Sequence, residues 1–103
     1  MGAVEKAIVE ILEAIAPTHL EVRNESFMHA VPEDSETHFK VVIVSDRFDG
    51  IRSVRRHQMV YRMLSQQIAG SVHALALHTY TSKEWQDKTD RPPDSPDCLG
   101  GGD

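Results

Sequence analysis

Cysteine is nearly absent from this chain of 103 residues, and its single thiol, Cys98, lies close to the C-terminus. One cysteine excludes an internal disulfide framework and is typical of a protein in a reducing compartment. Long apolar runs are also lacking, because Glu10 and Glu13 interrupt the first one and no stretch approaches the roughly 20 residues that a membrane helix needs. We therefore expect no signal peptide, no membrane contact and a cytoplasmic location.

The sequence patterns of common enzymes are missing as well. The chain has no nucleophile-elbow, phosphate-loop, dinucleotide-binding or zinc-protease motif. No Asp/Glu pair lies in an apolar context of the kind that tunes catalytic carboxylates. These absences predict that the protein is not an enzyme.

Hydrophobic periodicity predicts one small α+β domain with the element order α-β-β-α-β-α. No helix is predicted between the first two strands, so they can form an antiparallel hairpin. The helix before the third strand instead allows a parallel crossover. We expect a mixed three-stranded sheet packed against helices, with the most apolar strand, 39–45, at its centre. The predicted elements are helix 3–16, strand 20–25, strand 39–45, helix 53–69 from Ser53 to a stop at Gly70, strand 72–80, and a short last helix that begins at the capping box Thr81-Ser82-Lys83-Glu84.

The C-terminal segment differs in composition from the rest. Residues 89–103 are rich in proline, glycine and aspartate and lack periodicity, which predicts a flexible acidic tail after a domain of residues 1–88. The net charge of the chain is −5, which disfavours indiscriminate binding to nucleic acid. The segment from Asp87 onward holds −3 of that charge, so the remainder is closer to neutral and its arginines are clustered.

Four arginines lie at or near the start of the predicted helix 53–69. Their spacings of 3, 4 and 7 residues place them near one helical face, at positions Arg52, Arg55, Arg56 and Arg62. Cations beside unpaired helical N–H groups are what phosphate contact needs, so this face is a candidate DNA-binding surface. The alternative is a solvated face that offsets the acidic remainder. His57 lies on the apolar side of the same helix, where we expect it to be partly buried and hydrogen-bonded beside Tyr61.

Two further histidines are candidate metal ligands. His73 begins the third strand and His29 lies in the polar segment before the second strand. Imidazole suits iron, zinc and copper, but two histidines do not complete a four-coordinate site, so a partner would have to supply the remaining ligands. The alternative is that His29 is a loop residue in water and that His73 hydrogen-bonds nearby backbone.

A series of ordered motifs resembles the BolA family of proteins, from the first helix into the proline-rich tail. The matching segments are Leu20-Glu21-Val22-Arg23-Asn24-Glu25-Ser26, His29-Ala30-Val31-Pro32, Ser35-Glu36-Thr37-His38-Phe39-Lys40-Val41-Val42, Val44-Ser45-Asp46-Arg47-Phe48-Asp49-Gly50, Arg56-His57, Val72-His73-Ala74-Leu75-Ala76-Leu77-His78-Thr79-Tyr80-Thr81, Lys83-Glu84-Trp85 and Ser95-Pro96-Asp97-Cys98. One such segment is weak evidence, whereas this many in the same order is specific.

The resemblance implies a class II KH-like α/β fold and two activities. In the first, the protein pairs with a monothiol glutaredoxin in one of two forms. It either shares a [2Fe-2S] cluster, with thiolates from the glutaredoxin and its glutathione and with histidine from this chain, or forms a cluster-free complex. The family's C-terminal ligand falls on His73. In some relatives a second ligand comes from the loop before the second strand, and His29 occupies that place here, where other relatives carry cysteine. Alone, the protein is expected to hold no cofactor and to be a monomer or weak homodimer.

The second activity that the resemblance implies is DNA-binding transcriptional regulation of cell morphology, biofilm and stress response. Its helix-turn-helix-like region would run from Phe48 through the helix that bears the arginines. The chain departs from RNA-binding KH domains, which use a Gly-x-x-Gly loop, since only Gly50 is present in Asp49-Gly50-Ile51-Arg52. Nucleic-acid contact would therefore rest on arginine and phosphate.

Overall fold

The structure is a computed structural model and describes residues 2–28, 32 and 35–89. A three-stranded sheet forms its centre, with β1 (His19–Asn24), β2 (His38–Val44) and β3 (Ala74–Tyr80) side by side in that order. β1 runs antiparallel to β2, with Val22 opposite Val41. β3 runs parallel to β2, which places Leu77 beside the same Val41. The mixed sheet with β2 at its centre is the predicted one.

Four helices surround the sheet: α1 (Ala3–Leu12), α2 (Ser53–Met63), α3 (Ser65–Ala69) and α4 (Ser82–Thr89). Residues of α1 and α2 pack on one face of the sheet, where Ile8, Leu12 and Val60 are fully buried. On the other face Trp85 of α4 packs against a smaller cluster that contains Val44 and Tyr80. Apolar residues point to both faces of β2 because helices cover both sides of the sheet. The predicted element order is confirmed.

Two predicted helices are shorter in the structure. α1 ends at Leu12 and is followed by a 3-10 turn, Glu13–Ile15, after which Ala16 adopts a left-handed φ of 49° directly before Pro17. Proline disfavours a right-handed helical backbone in the residue before it, so the helix cannot continue to Ala16. The predicted helix 53–69 is divided into α2 and α3 at Leu64, whose φ of −97° and ψ of 18° leave the α-helical region.

The start of each helix shows how its free N–H groups are satisfied. The predicted capping box is present: the Thr81 backbone N–H donates to Glu84 Oε1 at 2.9 Å, and the Glu84 N–H donates to Thr81 Oγ1 at 3.2 Å. At the start of α1, the N–H groups of Val4 and Glu5 donate to the carboxylate of Glu36. Ser53 is the first residue of α2 rather than its cap, because Arg52 is the N-cap residue, and no side chain in the described part of the protein caps this helix.

The predicted boundary at residue 88 falls inside α4, which ends at Thr89. The predicted tail and Cys98 lie outside the described residues. Within the described part of the chain, no helix is both long enough and apolar enough to span a membrane.

Candidate functional sites: a basic pocket and an exposed histidine

A concave site lies where the chain enters α2. Gly50, with a φ of 76°, provides the left-handed backbone of the turn that leads to Arg52 and the helix. The pocket has a volume of about 460 Å³. We call it the basic pocket; its lining residues are Gly50, Ile51, Arg52, Arg55, Gln58, Met59 and Arg62.

Three predicted arginines meet at this pocket and are not neutralised by the described part of the chain. Arg52, Arg55 and Arg62 are exposed, and none of them forms an ion pair with a described residue. The first turn of α2 also contains no acidic residue, whereas a carboxylate occupies the start of α1. Positive side chains and the positive end of the helix dipole therefore point to the same region of the surface, which favours an anion there.

The prediction that Arg56 shares this exposed face is wrong. Its side chain is buried, with Nε donating to the Ile51 carbonyl at 2.6 Å. Nη1 and Nη2 donate to Oε1 and Oε2 of Glu84 at 2.6 and 3.1 Å, and the guanidinium lies 5.7 Å from the centre of the Phe48 ring. This bidentate ion pair connects α2 to α4. The donors of Arg56 are therefore used inside the protein and do not face an external phosphate.

A signal for this burial was present in the spacing. Val60 is fully buried, and Arg56 precedes it by four residues, which places both on the same side of α2. Hydrogen bonding from Arg56 holds the pKa of the Glu84 carboxyl below its usual range; partial burial opposes this, and the Thr81 N–H adds to it.

His73 is an exposed residue immediately before β3. Its backbone N–H donates to the Thr37 carbonyl at 2.8 Å, and the N–H of Ala74 donates to the same oxygen at 3.1 Å. The hydrogen bonding to nearby backbone that was predicted as the alternative role of His73 is therefore made by its main-chain N–H. The imidazole itself has no partner among residues 2–28, 32 and 35–89. The main chain of His73 is fixed while its side chain is left free.

The other described histidines are less available. His19 Nε2 forms a hydrogen bond of 2.6 Å with Glu21 Oε2, and its ring stacks on Trp85. His38 Nδ1 forms a hydrogen bond of 2.8 Å with Thr37 Oγ1, and His78 also has a partner. His57 is half-buried as predicted, but its Nε2 is buried and the hydrogen bond expected for it is not found within the described residues. His73 is thus the one exposed histidine of the described chain.

The position of His29 lies outside the described residues, but the two ends of its loop are tied together. Ser26 Oγ accepts from the N–H groups of Thr37 and His38 at 2.9 and 3.1 Å. Since the Thr37 carbonyl also holds the backbone of His73, both ends of the loop are anchored beside the start of β3. No group of three or more His, Cys, Asp or Glu that could hold a metal ion is found in the described part of the protein.

The fold and these two sites define a small α+β protein with an arginine-lined pocket and a free surface imidazole. Residues 11–84 match the family described as BolA-like protein. The chain is 50% identical over 92 residues to the DNA-binding transcriptional regulator BolA of Vibrio cholerae, a match that covers 89% of this chain and 87% of the relative. The chain belongs to the BolA family.

Solved structures agree with this assignment. The solution structure of BolA1 from Mus musculus superposes with a TM-score of 0.79 at 48% identity, over 97% of this chain and 81% of that one. The BolA domain of SufE1 from Arabidopsis thaliana gives a TM-score of 0.76 at 39% identity, over 82% of this chain and 98% of that domain. The matched bacterial relatives are named as regulators rather than as enzymes.

Proposed function

We propose that the protein is a regulatory adaptor that pairs with a monothiol glutaredoxin and ligates a shared [2Fe-2S] cluster through His73. The observation that carries this proposal is the free imidazole of His73 on an anchored backbone, when the other described histidines are bonded or partly buried. Such an adaptor would connect iron–sulfur or redox status to regulation, in a reducing cytoplasm where the partner's thiols stay free.

The donor set of this chain fits a cluster that two proteins share. A [2Fe-2S] cluster takes four protein-side ligands, commonly thiolates, with histidine as the known replacement. The described chain offers one free imidazole and no cluster of donors, so the thiolates would come from the glutaredoxin and its glutathione. When bound, a cluster with mixed Cys and His ligation supplies a one-electron centre of higher potential than an all-Cys one.

His73 would hold the cluster and orient the partner. Hydrogen bonds from the backbone of His73 and Ala74 to Thr37 reduce the number of positions that its imidazole can take, which lowers the entropic cost of ligation. His29 remains the predicted second or alternative ligand, because its loop begins and ends beside this strand start.

The test is anaerobic mixing of the protein with a cluster-loaded monothiol glutaredoxin, followed by visible absorption and circular dichroism. We expect the wild type to change both spectra and His73→Ala to lose the change while its far-ultraviolet spectrum stays native. His78→Ala is the matched control, since it removes an imidazole from β3, which begins directly after His73, at a residue that already has a partner. A spectrum in His73→Ala equal to that of the wild type would reject His73 as a ligand.

We also propose that the basic pocket contacts DNA, as a second function of the same chain. Two observations favour it: three exposed arginines converge without an acidic partner in the described chain, and the relatives from Vibrio cholerae and Escherichia coli are named as DNA-binding transcriptional regulators. Regulation of cell morphology, biofilm and stress response is the role we propose for such binding. The site would read phosphate through Arg52, Arg55 and Arg62, and Arg56 would support the pocket wall through Ile51.

The DNA proposal predicts a specific salt dependence. Three neutralised phosphates give a slope of roughly −0.9 × 3, or about −2.7, for the logarithm of the binding constant against the logarithm of salt concentration. Arg55→Ala should lower that slope by about one unit, as measured by fluorescence anisotropy with labelled promoter DNA. Arg23→Ala removes an exposed arginine on β1 and serves as the control. Binding that does not respond to salt, or that Arg23→Ala weakens as much as Arg55→Ala, would contradict the proposal.

A further inference from the structure

The basic pocket has apolar lining residues that phosphate contact alone does not require. Besides its three arginines it is lined by Ile51 and Met59, both partly buried, and by the exposed Gln58. The site is concave, and it places partly buried apolar side chains beside its cations. Its volume of about 460 Å³ lies in the range of about 300–1,000 Å³ that is usual for small-molecule sites.

We propose that the basic pocket binds a nucleoside phosphate. The guanidinium groups of Arg52, Arg55 and Arg62 would take the phosphate oxygens, for which their fork of donors is suited. The flat base would lie over Ile51 and Met59, where the thioether adapts to an aromatic ring, and Gln58 offers both a donor and an acceptor to the base edge.

Electrostatics supports an anionic occupant. The protein carries a net charge of −5, and two of the other described arginines pair with carboxylates, Arg23 with Glu25 and Arg56 with Glu84, whereas Arg47 forms no ion pair with a described residue. The three pocket arginines have no such partner among the described residues, although they repel one another. An external anion removes that repulsion, so its binding is favoured beyond the direct hydrogen bonds.

The ligand chemistry has two sources, a free nucleotide or one nucleotide unit of a single strand. The inference shares the arginines of the proposed DNA contact but does not need binding of duplex DNA, which the anisotropy experiment above measures separately. Loss of duplex binding with retention of nucleotide binding would therefore reject the former proposal alone.

The test is a titration of the full chain, ¹⁵N-labelled, with ADP, adenosine, inorganic phosphate and a single-stranded oligonucleotide, followed by amide chemical shifts. We expect ADP to shift the amides of Ile51, Gln58 and Met59 and to bind at least tenfold more tightly than adenosine or phosphate. Arg55→Ala should weaken ADP binding roughly tenfold, as the loss of one charge-assisted contact predicts. Arg23→Ala should leave ADP binding unchanged.

The results distinguish a free nucleotide from a single strand as the ligand, and some of them would overturn the inference. An oligonucleotide that binds these amides more tightly than ADP would assign the site to a strand, and tighter binding of ADP would assign it to free nucleotide. No shift at millimolar ADP would overturn the inference. So would phosphate that binds as tightly as ADP, since the pocket would then be a general anion site, or ADP binding that Arg55→Ala leaves intact.

Discussion

Arg56 and Arg55 are adjacent in the chain but differ in role, since Arg56 stabilises the fold and Arg55 faces the proposed ligand site. The guanidinium of Arg56 makes three hydrogen bonds inside the protein, one to the Ile51 carbonyl and two to Glu84. Arg55, its neighbour in the chain, is exposed and lines the basic pocket. Replacing each by alanine removes the same side chain from adjacent positions of one helix, with opposite expected consequences.

The expected cost of Arg56→Ala follows from what the side chain contacts. Breaking a buried ion pair by removing one partner costs roughly 3–5 kcal/mol. The side chain of Glu84 is 48% exposed, so water replaces part of its lost bonding and the lower end applies. Loss of the bond to Ile51 and of the contact with Phe48 keeps the cost from falling further. We expect the free energy of unfolding to decrease by about 3 kcal/mol, a large part of the roughly 5–15 kcal/mol of a small domain.

The assay is urea denaturation followed by far-ultraviolet circular dichroism, with the slope m compared between variants. Arg55→Ala should change the free energy of unfolding by less than about 0.5 kcal/mol, as is usual for an exposed site. Glu84→Gln should cost less than Arg56→Ala, since glutamine still accepts a hydrogen bond and still completes the capping box. Equal stabilities of Arg56→Ala and Arg55→Ala would refute the reasoning.

Two further predictions concern groups inside the fold. Because folding lowers the pKa of Glu84, the stabilisation from its pairing with Arg56 is complete above the ordinary value of 4.5 and is lost as the pH falls through the lower pKa of the folded state. The stability difference between wild type and Glu84→Gln, measured in urea, should shrink in acid, and a difference that stays constant would count against the ion pair. Ser45 is fully buried, with Oγ donating to the Ile15 carbonyl at 2.7 Å and accepting from the Arg47 N–H at 3.1 Å. Ser45→Ala should decrease the free energy of unfolding by about 1–3 kcal/mol and so lower the melting temperature. An unchanged melting temperature would show that these hydrogen bonds do not stabilise the fold.

The fold was largely predictable because its signals are local. Alternation in β1, the apolar run of β2 and the Thr81–Glu84 capping box each depend on residues within a few positions of one another. The parallel pairing of β3 with β2 followed from the helix between them.

The site was predictable in part, and the errors in its prediction arise from contacts between residues that are distant in sequence. Helical spacing groups Arg56 with Arg52 and Arg55, but only the approach of α4, which carries Glu84, draws Arg56 inward. The contact that caps α1 was also missed, because Glu36 lies more than 30 residues from Val4. The lining of the basic pocket also includes Ile51 and the turn at Gly50, which spacing along a helix does not describe.

The central claim is that His73 ligates a cluster shared with a monothiol glutaredoxin. The most direct measurement is pulsed electron paramagnetic resonance of the reduced complex, with ¹⁵N-histidine in this chain and an unlabelled glutaredoxin. We predict a strong ¹⁵N hyperfine coupling in the wild type and in His78→Ala, and no heteromeric cluster in His73→Ala. A cluster that forms between the two proteins without any ¹⁵N coupling would contradict histidine ligation and with it the proposed function.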